Sequence, residues 1–310
     1  MKVKQSIPKH LRYTIRDFNR QFPNDNACLE HLKEQRFPDG IAHCDKCGVE
    51  RKHHRVTGRP AWACDYCGSM ISPMEGTIFH KSSTPLKTWY YAMYLMSSTR
   101  CGISAKQIQR ETGVTYKTAW RMFKQIRSLL SEREDMQLEG PIVEIDEMYF
   151  GGVRKYGRGR PMRGDKTKTP VVAIVQRHGK VLAKVVPDVT TSSLMGMVKK
   201  HVVPGSVIYT DELSGYDAIS KLADKDGKSL GYRHRRIKHS DGVYVRGDIH
   251  TNSVEGLWSL IKRGIGGVYH SVSPSYLQTY LNEYCFRYNR RFDGNLQFKS
   301  VLERACERVS

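Results

Sequence analysis

Two sets of residues in this chain have the types and spacing to do chemistry. The first is a quartet of cysteines, Cys44-x-x-Cys47 and Cys64-x-x-Cys67. Each pair sets two thiolates on one tight turn, and two such turns complete a tetrahedral Zn²⁺ shell. Four thiolates leave no coordination position open, so zinc held there is structural. Gly48 and Gly68 directly follow the second cysteine of each pair and let the backbone turn. The stretch AWAC reads as a short strand entering the second turn, which makes the module a zinc ribbon. A redox pair is the competing reading. Cys28, Cys101, Cys285 and Cys306 read as ordinary small hydrophobes.

The second set is acidic. The run EIDEMYFGG (144–152) loads Glu144, Asp146 and Glu147 into what otherwise reads as a strand. A buried carboxylate is costly unless something cationic meets it. Side chains alternate along a strand, so Glu144, Asp146 and Met148 share one face and Val143, Ile145, Glu147 and Tyr149 the other. Asp146, at the centre, points at a shared site. SVIYTDELSGY delivers Asp211 where an apolar strand stops, the place where ligand chemistry collects in open α/β sheets. A helix N-cap explains Asp211 equally well. In HTNSVEGLWSLIKRG, a helix starting near Ser253 puts Asn252, Glu255, Ser259 and Lys262 on one face. A carboxylate and a lysine two turns apart suit a metal ligand beside a phosphate contact. Asn252-x-x-Glu255 is also a capping-box pattern.

The elements that would carry these residues fall into four stretches. Residues 1–40 form a helical lead-in, with NDNACLEHLKEQRF as a capped helix, and 41–80 the zinc ribbon. Helical patterning fills 85–135. There GISAKQIQRETGVTYKTAWRMFKQIRSLL gives a short helix, the break TGV, and a longer helix from about Thr115. Ile103, Ile108, Val114, Ala119, Trp120 and Phe123 supply apolar faces, while Tyr116, Lys117, Lys124 and Arg127 face a DNA groove or phosphates. A plain helical hairpin is the alternative. After Pro141 the texture turns to strands: PIVEIDEMYF, then PVVAIVQRHGKVLAKVV with a hairpin at RHGK, then GSVIYTD. Helical spacing returns at 191–202 and again in the terminal segments, so 140–300 reads as a three-layer α/β or α+β domain. The aromatics of YLQTYLNEYCFRYNRR, and Trp258, sit at helical spacing and read as core, with Arg287, Arg290 and Arg291 left for phosphate.

Charge names the partner class. The chain carries 51 Lys+Arg against 31 Asp+Glu, net +20, which calls for a polyanion, with nucleic acid first. RKYGRGRPMRGDKTK (154–168) and YRHRRIKH (232–239) concentrate the positive charge in arms suited to salt-sensitive phosphate binding. No run of about 18 apolar residues occurs, so no membrane span is expected. The basic N-terminus has no apolar signal region, and a metal site among cysteines fits a reducing cytoplasm.

The order of these motifs carries a resemblance. Zinc ribbon, helical segment, VEIDEMYFGG, YTDELSGY, HTNSVEGLWSLIKRG, YH and FRYNRR, over about residues 20 to 295, resemble bacterial insertion-sequence transposases with an N-terminal zinc ribbon. Asp146, Asp211 and Glu255, spaced by 65 and 44 residues with Lys262 seven beyond, resemble the DDE triad of RNase H-like transposases and integrases. The resemblance implies a small zinc ribbon and helix-turn-helix-like segment followed by an α/β RNase H-like domain with a mixed sheet. It implies two Mg²⁺ ions (Mn²⁺ substituting) on Asp146, Asp211 and Glu255, with Asn252 as the alternative third ligand and His250 also close by. It implies cleavage of double-stranded DNA at the element's ends, transfer of the freed 3′ ends to a target, and a homo-oligomer that brings two ends together. Lys262 and Arg263 would hold the scissile strand. Arg154, Lys155, Arg158, Arg160, Arg163, Arg233, Arg235, Arg236 and Lys238 would hold flanking or target DNA, and Lys117, Lys124 and Arg127 the terminal repeats. Two other classes stay open: a DNA-binding regulator whose carboxylates serve structure alone, and a nuclease that never joins.

Overall fold

Short polar side chains start four helices of the N-terminal part. The computed structural model describes residues 8, 12–99, 101–151, 168–237, 250–294 and 296–308. Thr14 and Asp17 form a reciprocal capping box on α1 (Ile15–Gln21), and Asn24 accepts the Ala27 amide at the start of α2 (Asp25–Arg36). Strands β1 (Ile41–Cys44), β2 (Val49–Arg55), β3 (Trp62–Cys64) and β4 (Met70–Ile71) then pair antiparallel in chain order. Helix α3 (Leu86–Ser98) buries Trp89, Tyr90, Ala92 and Met93 completely. Helix α4 (Ala105–Thr112) is capped by Ser104 and closed by Gly113, whose φ of 70° is the left-handed conformation that glycine adopts without strain. Thr115 then caps α5 (Tyr116–Ser128). The three-residue connection and the buried Ile108, Ala119, Met122 and Ile126 give a helix-turn-helix arrangement.

The chain divides into two compact units, residues 1–129 with 290–310, and residues 130–289. In the second, β5 (Ile142–Gly151) lies at the centre of a five-stranded sheet. It pairs antiparallel with β6 (Lys168–Gln176), which pairs antiparallel with β7 (Val181–Val185). On its other side β5 pairs parallel with β8 (Val207–Thr210), which pairs parallel with β9 (Arg233–Arg236). The sheet order is β7-β6-β5-β8-β9, with α6 (Thr191–His201) crossing between β7 and β8. This mixed sheet, a meander extended by β8 alongside its first strand and β9 alongside β8, both parallel, is RNase H-like. Helices α7 (Asn252–Gly264) and α8 (Pro274–Asn289) follow, joined through a π-helical stretch at Ile265–Tyr269.

Alternation along the strands fills both sides. Val143, Ile145, Val172, Ile174 and Ile208 pack with Leu194 and Val198 of α6. Val171, Ala173 and Val175 pack on the opposite face with Val254, Leu257, Trp258 and Ile261 of α7 and Leu277, Leu281 and Tyr284 of α8. Each aliphatic side chain so buried contributes about 1.5–3 kcal/mol. α7 and α8 approach so closely that a Cβ on Gly264 would collide with the Tyr284 hydroxyl.

The last helix, α9 (Leu296–Cys306), belongs to the first unit. Its stripe of Phe298, Val301, Leu302 and Ala305 is buried, with the Phe298 ring 5.8 Å edge-on from Tyr94 and 5.9 Å from Phe18. The patterning of a continuous domain to residue 300 therefore differs from the contacts, because α9 finds its apolar partners on α1 and α3. Among the described residues no helix is long and apolar enough to cross a membrane.

Candidate active site and zinc ribbon

Strands β1 and β3 each end on the first cysteine of a pair, so the ribbon delivers both turns to one point. Cys44 Sγ lies 3.5 Å from Cys67 Sγ, Cys47 Sγ lies 3.9 Å from Cys64 Sγ, and all four sulfurs lie within 4.8 Å of one another. Tetrahedral zinc with Zn–S bonds near 2.3 Å sets sulfurs about 3.8 Å apart, so the cradle fits the ion. The Gly48 and Gly68 amides donate to the Cys44 and Cys64 carbonyls at positive φ, closing each turn. Hydrogen bonding to Cys67, then burial, push the Cys47 thiol up to about 12. A coordinating cation reverses that, since a metal-bound thiol is deprotonated outright. The ribbon is a zinc site.

The three acids of β5 have three different fates. Glu144 is fully buried and meets Arg177, whose Nη2 lies 2.9 Å from its Oε1. Its other oxygen accepts the backbone amides of Ser253 and Val254 at 2.8 and 3.1 Å. The cation that answers this carboxylate is an arginine. Asp146, on the same face, accepts a hydrogen bond from Trp258 Nε1 at 2.9 Å. Glu147, on the opposite face, accepts one from the Tyr216 hydroxyl at 3.0 Å.

Asp146 and Glu147 nonetheless converge. Parallel pairing of β5 with β8 matches Ile142 with Val207 and Glu144 with Tyr209, an offset of 65 residues. Asp211 stands at the same offset from Asp146, one residue past the end of β8. There the chain turns, with the Leu213 amide donating to Asp211 Oδ1 at 3.0 Å in an Asx turn. Carboxylate oxygens of Asp146, Glu147 and Asp211 all lie within 4.8 Å of one another. Octahedral Mg²⁺ with bonds of 2.0–2.1 Å spaces its ligand oxygens about 3–4 Å apart, so this set accommodates a hard divalent cation. Burial first, then the charge of Glu147, push Asp146 up to about 7; the Trp258 bond opposes the shift and Asp211 adds to it. Crowded carboxylates of this kind are relieved by a cation. Glu147 was missed by strict strand alternation; the tandem Asp-Glu in the middle of an apolar strand was the available signal.

The proposed third ligand lies on α7. Asn252 and Glu255 are exposed, and Glu255 stands outside the three-carboxylate group, its Oε1 accepting from Thr251 Oγ1 at 3.1 Å. Asn252 is the first helical residue rather than the cap, and Thr251 makes no side-chain cap bond. The capping-box reading of Asn252-x-x-Glu255 therefore fails, because the cap comes from Glu144. Asn252, Glu255 and Lys262 do share an exposed face, opposite the buried Val254, Leu257 and Ile261.

Comparison with known proteins agrees with this layout. Residues 137–289 match the ISXO2-like transposase domain, and residues 23–70 match the transposase zinc-ribbon domain. The chain is a transposase whose catalytic domain is ISXO2-like. A protein of transposable element ISH50 in Halobacterium salinarum is 29% identical over 304 residues, covering 92% of this chain and 98% of its own. A transposase-like protein of Haemophilus influenzae is 26% identical over 123 residues, 40% of this chain and 88% of its own. A solved pre-cleavage Mos1 transpososome covers 70% of this chain and 76% of its own at 12% identity, with a TM-score of 0.29 that is too low to weigh.

The cations of this transposase divide by exposure. Lys117, Arg121 and Lys124 are exposed at i, i+4 and i+7 on α5, and Arg121 extends the face read from sequence. Arg127 is a correction: it is buried, with its guanidinium 3.7 Å over the Phe123 ring, because its position falls on the packed side of α5. Arg287 is likewise buried, paired with Glu283 at 2.7 Å. Arg233 and Arg235 are exposed on one face of the edge strand β9, while Arg236 pairs with Asp217. Lys262 and Arg263 are exposed at the end of α7. Arg154, Lys155, Arg158, Arg160, Arg163 and Lys238 lie outside the described residues.

Proposed function

We propose that this transposase cuts double-stranded DNA at the ends of its element and joins the freed 3′ ends to target DNA, using Asp146, Asp211 and a third ligand from α7, Glu255 or Asn252. The observation that carries the reading is the convergence of Asp146 and Glu147, midway along β5, with Asp211 just past the carboxyl end of the adjacent parallel strand β8. A pair of Mg²⁺ ions held by these carboxylates would supply activation of the attacking hydroxyl and neutralisation of the departing oxygen. Mn²⁺ serves in its place. Asp146 and Asp211 offer the carboxylate oxygens, and Glu147 adds negative charge beside them. Trp258 holds one oxygen of Asp146 and so orients that carboxylate. Lys262 and Arg263, exposed on the helix that carries Glu255, hold the phosphate backbone of the strand being cut. Zinc ribbon and helix-turn-helix bind the terminal repeats through Lys117 and Lys124, and Arg233 and Arg235 hold flanking or target DNA. Joining two ends calls for two copies of the chain. The setting is the cytoplasm, where the element's DNA lies.

Alanine at Asp146 or Asp211 tests this. Each variant should bind end DNA as the parent does and lose divalent-dependent cleavage; surviving cleavage in both would remove the assignment. Supplying pre-cut ends with a plasmid separates joining from cutting, since a simple nuclease gives no joined product. Glu255→Ala against Asn252→Ala identifies the third ligand.

A further inference from the structure

Glu144 is completely buried, two residues before Asp146 on the same face of β5, and takes no part in the acid group. Its bonds go to the start of α7 and to Arg177. Oε2 accepts the Ser253 and Val254 amides at 2.8 and 3.1 Å, and Oε1 accepts Ser253 Oγ at 2.9 Å and Arg177 Nε at 3.0 Å. An anion at a helix N-terminus satisfies orphan amides and meets the positive end of the helix dipole. Here that anion comes from the central strand instead of the helix's own cap residue. Arg177 completes the seat: its Nη2 donates to the His250 carbonyl at 3.1 Å, and its guanidinium lies 5.1 Å from the centre of the Tyr209 ring.

The second tie is Trp258 Nε1 to Asp146 Oδ2. Two strand residues, Glu144 to Asp146, span about 6.6 Å. Four helical residues, Val254 to Trp258, span about 6 Å. Strand and helix are thus gripped at two points whose spacings match. A buried ion pair is a poor source of stability, because an apolar pair of the same volume would do as well. A carboxylate accepting two successive amides does something an apolar contact does not: it fixes where along the strand the helix begins.

We propose that Glu144 and Arg177 are positioning residues that set α7 in register with β5, and so fix the separation of Asp146 from Asn252, Glu255 and Lys262. The inference rests on the reading of Asp146 and Asp211 as metal ligands given above. Residues that orient ligands from behind typically change metal affinity by 10–100-fold when removed.

The test is Glu144→Gln in the full-length protein with its zinc retained. Mn²⁺ binding is followed by electron paramagnetic resonance, the amides of 253 and 254 by hydrogen exchange, and end-DNA binding by titration. The expected result is Mn²⁺ binding weakened about tenfold, faster exchange at 253 and 254, and end binding within about twofold of the parent. Val198→Ala, buried between α6 and the far face of the sheet, supplies a control of lowered melting temperature with unchanged Mn²⁺ affinity. If Glu144→Gln behaves as that control does, the inference is overturned. Should Glu144→Gln fail to fold, Ser253→Ala removes one bond and leaves both amides. It should weaken Mn²⁺ binding by a smaller factor, and parental affinity there overturns the inference as well. Asp146→Asn keeps the two readings apart. If it binds Mn²⁺ and cleaves as the parent does, the metal assignment has failed; if it loses both while Glu144→Gln loses neither, only the seating of α7 falls.

Discussion

The indole N–H of Trp258 donates to Asp146 Oδ2 at 2.9 Å, so a residue otherwise buried in the α7 layer touches the carboxylate at the centre of the site. By spacing alone Trp258 is a core aromatic, and it is one, 4% exposed. Its nitrogen adds an orienting role that hydrophobic patterning does not encode. Trp258→Phe keeps most of the apolar volume and removes the donor. Cleavage should fall about tenfold, the range typical for a lost orienting partner, with end binding unchanged. Single-turnover cleavage at saturating DNA measures it, and a parental rate would show that the bond is incidental.

Asp146 also makes metal binding depend on pH. Burial and the neighbouring Glu147 raise it to about 7, above the ordinary carboxylate range. In the metal-free protein the folded state therefore holds a proton that the unfolded state has released. The resulting loss of stability accrues as pH rises toward about 7 and is complete above it. A divalent ion must displace that proton, so its affinity should weaken below about pH 7 and level off above. Calorimetric titration with Mg²⁺ in two buffers of different ionisation enthalpy should show proton release at pH 6 and almost none at pH 8. Mg²⁺ should raise the melting temperature more at pH 8 than at pH 6.

The zinc ribbon should come apart without its metal. Its strands are short, two to seven residues, and the four sulfurs within 4.8 Å repel once ionised. Cys64→Ser should lose stoichiometric zinc and the hydrogen-exchange protection of β2 and β3, because binding energy at such sites is folding energy. Metal analysis together with exchange at the Cys64 amide, which donates to the Ser69 carbonyl, checks both.

Much of this is legible in the sequence. The cysteine spacing announces its own geometry, and the strand-turn-strand of RHGK appears as β6, Arg177–Lys180 and β7. The 65-residue gap between Asp146 and Asp211 turns out to be the register of two parallel strands. What stayed hidden was the division of labour within EIDE. Alternation says which face a carboxylate leaves from, but not whether a helix N-terminus 109 residues away is waiting for it, as Ser253 waits for Glu144. The path of α9 was hidden for a similar reason, since an amphipathic stripe names no partner.

Gly264 is a residue whose necessity only packing reveals. Any Cβ there meets the Tyr284 ring and hydroxyl, both on the buried side where α7 crosses α8. Overpacking of this kind costs about 1–3 kcal/mol. Gly264→Ala should lower stability in urea by that amount. It should also disturb Lys262, two residues earlier, so its cleavage rate should fall more than its end binding.

On α5 two cations read alike in sequence should behave in opposite ways. Lys124 is exposed on the face it shares with Lys117 and Arg121, while Arg127 is 2% exposed and stacked on Phe123. Each phosphate contact releases counterions and adds about 0.9 to the slope of log affinity against log salt concentration. Lys124→Ala should therefore weaken end binding across sequences and flatten that slope by about 1, leaving the melting temperature nearly unchanged. Arg127→Ala removes a buried side chain with its packing, so it should lower the melting temperature by several degrees and leave the salt slope of the folded fraction where it was. Fluorescence anisotropy at four salt concentrations with thermal melts of both variants decides the matter. A flattened slope for Arg127→Ala with unaltered melting would mean that α5 turns its other side to DNA.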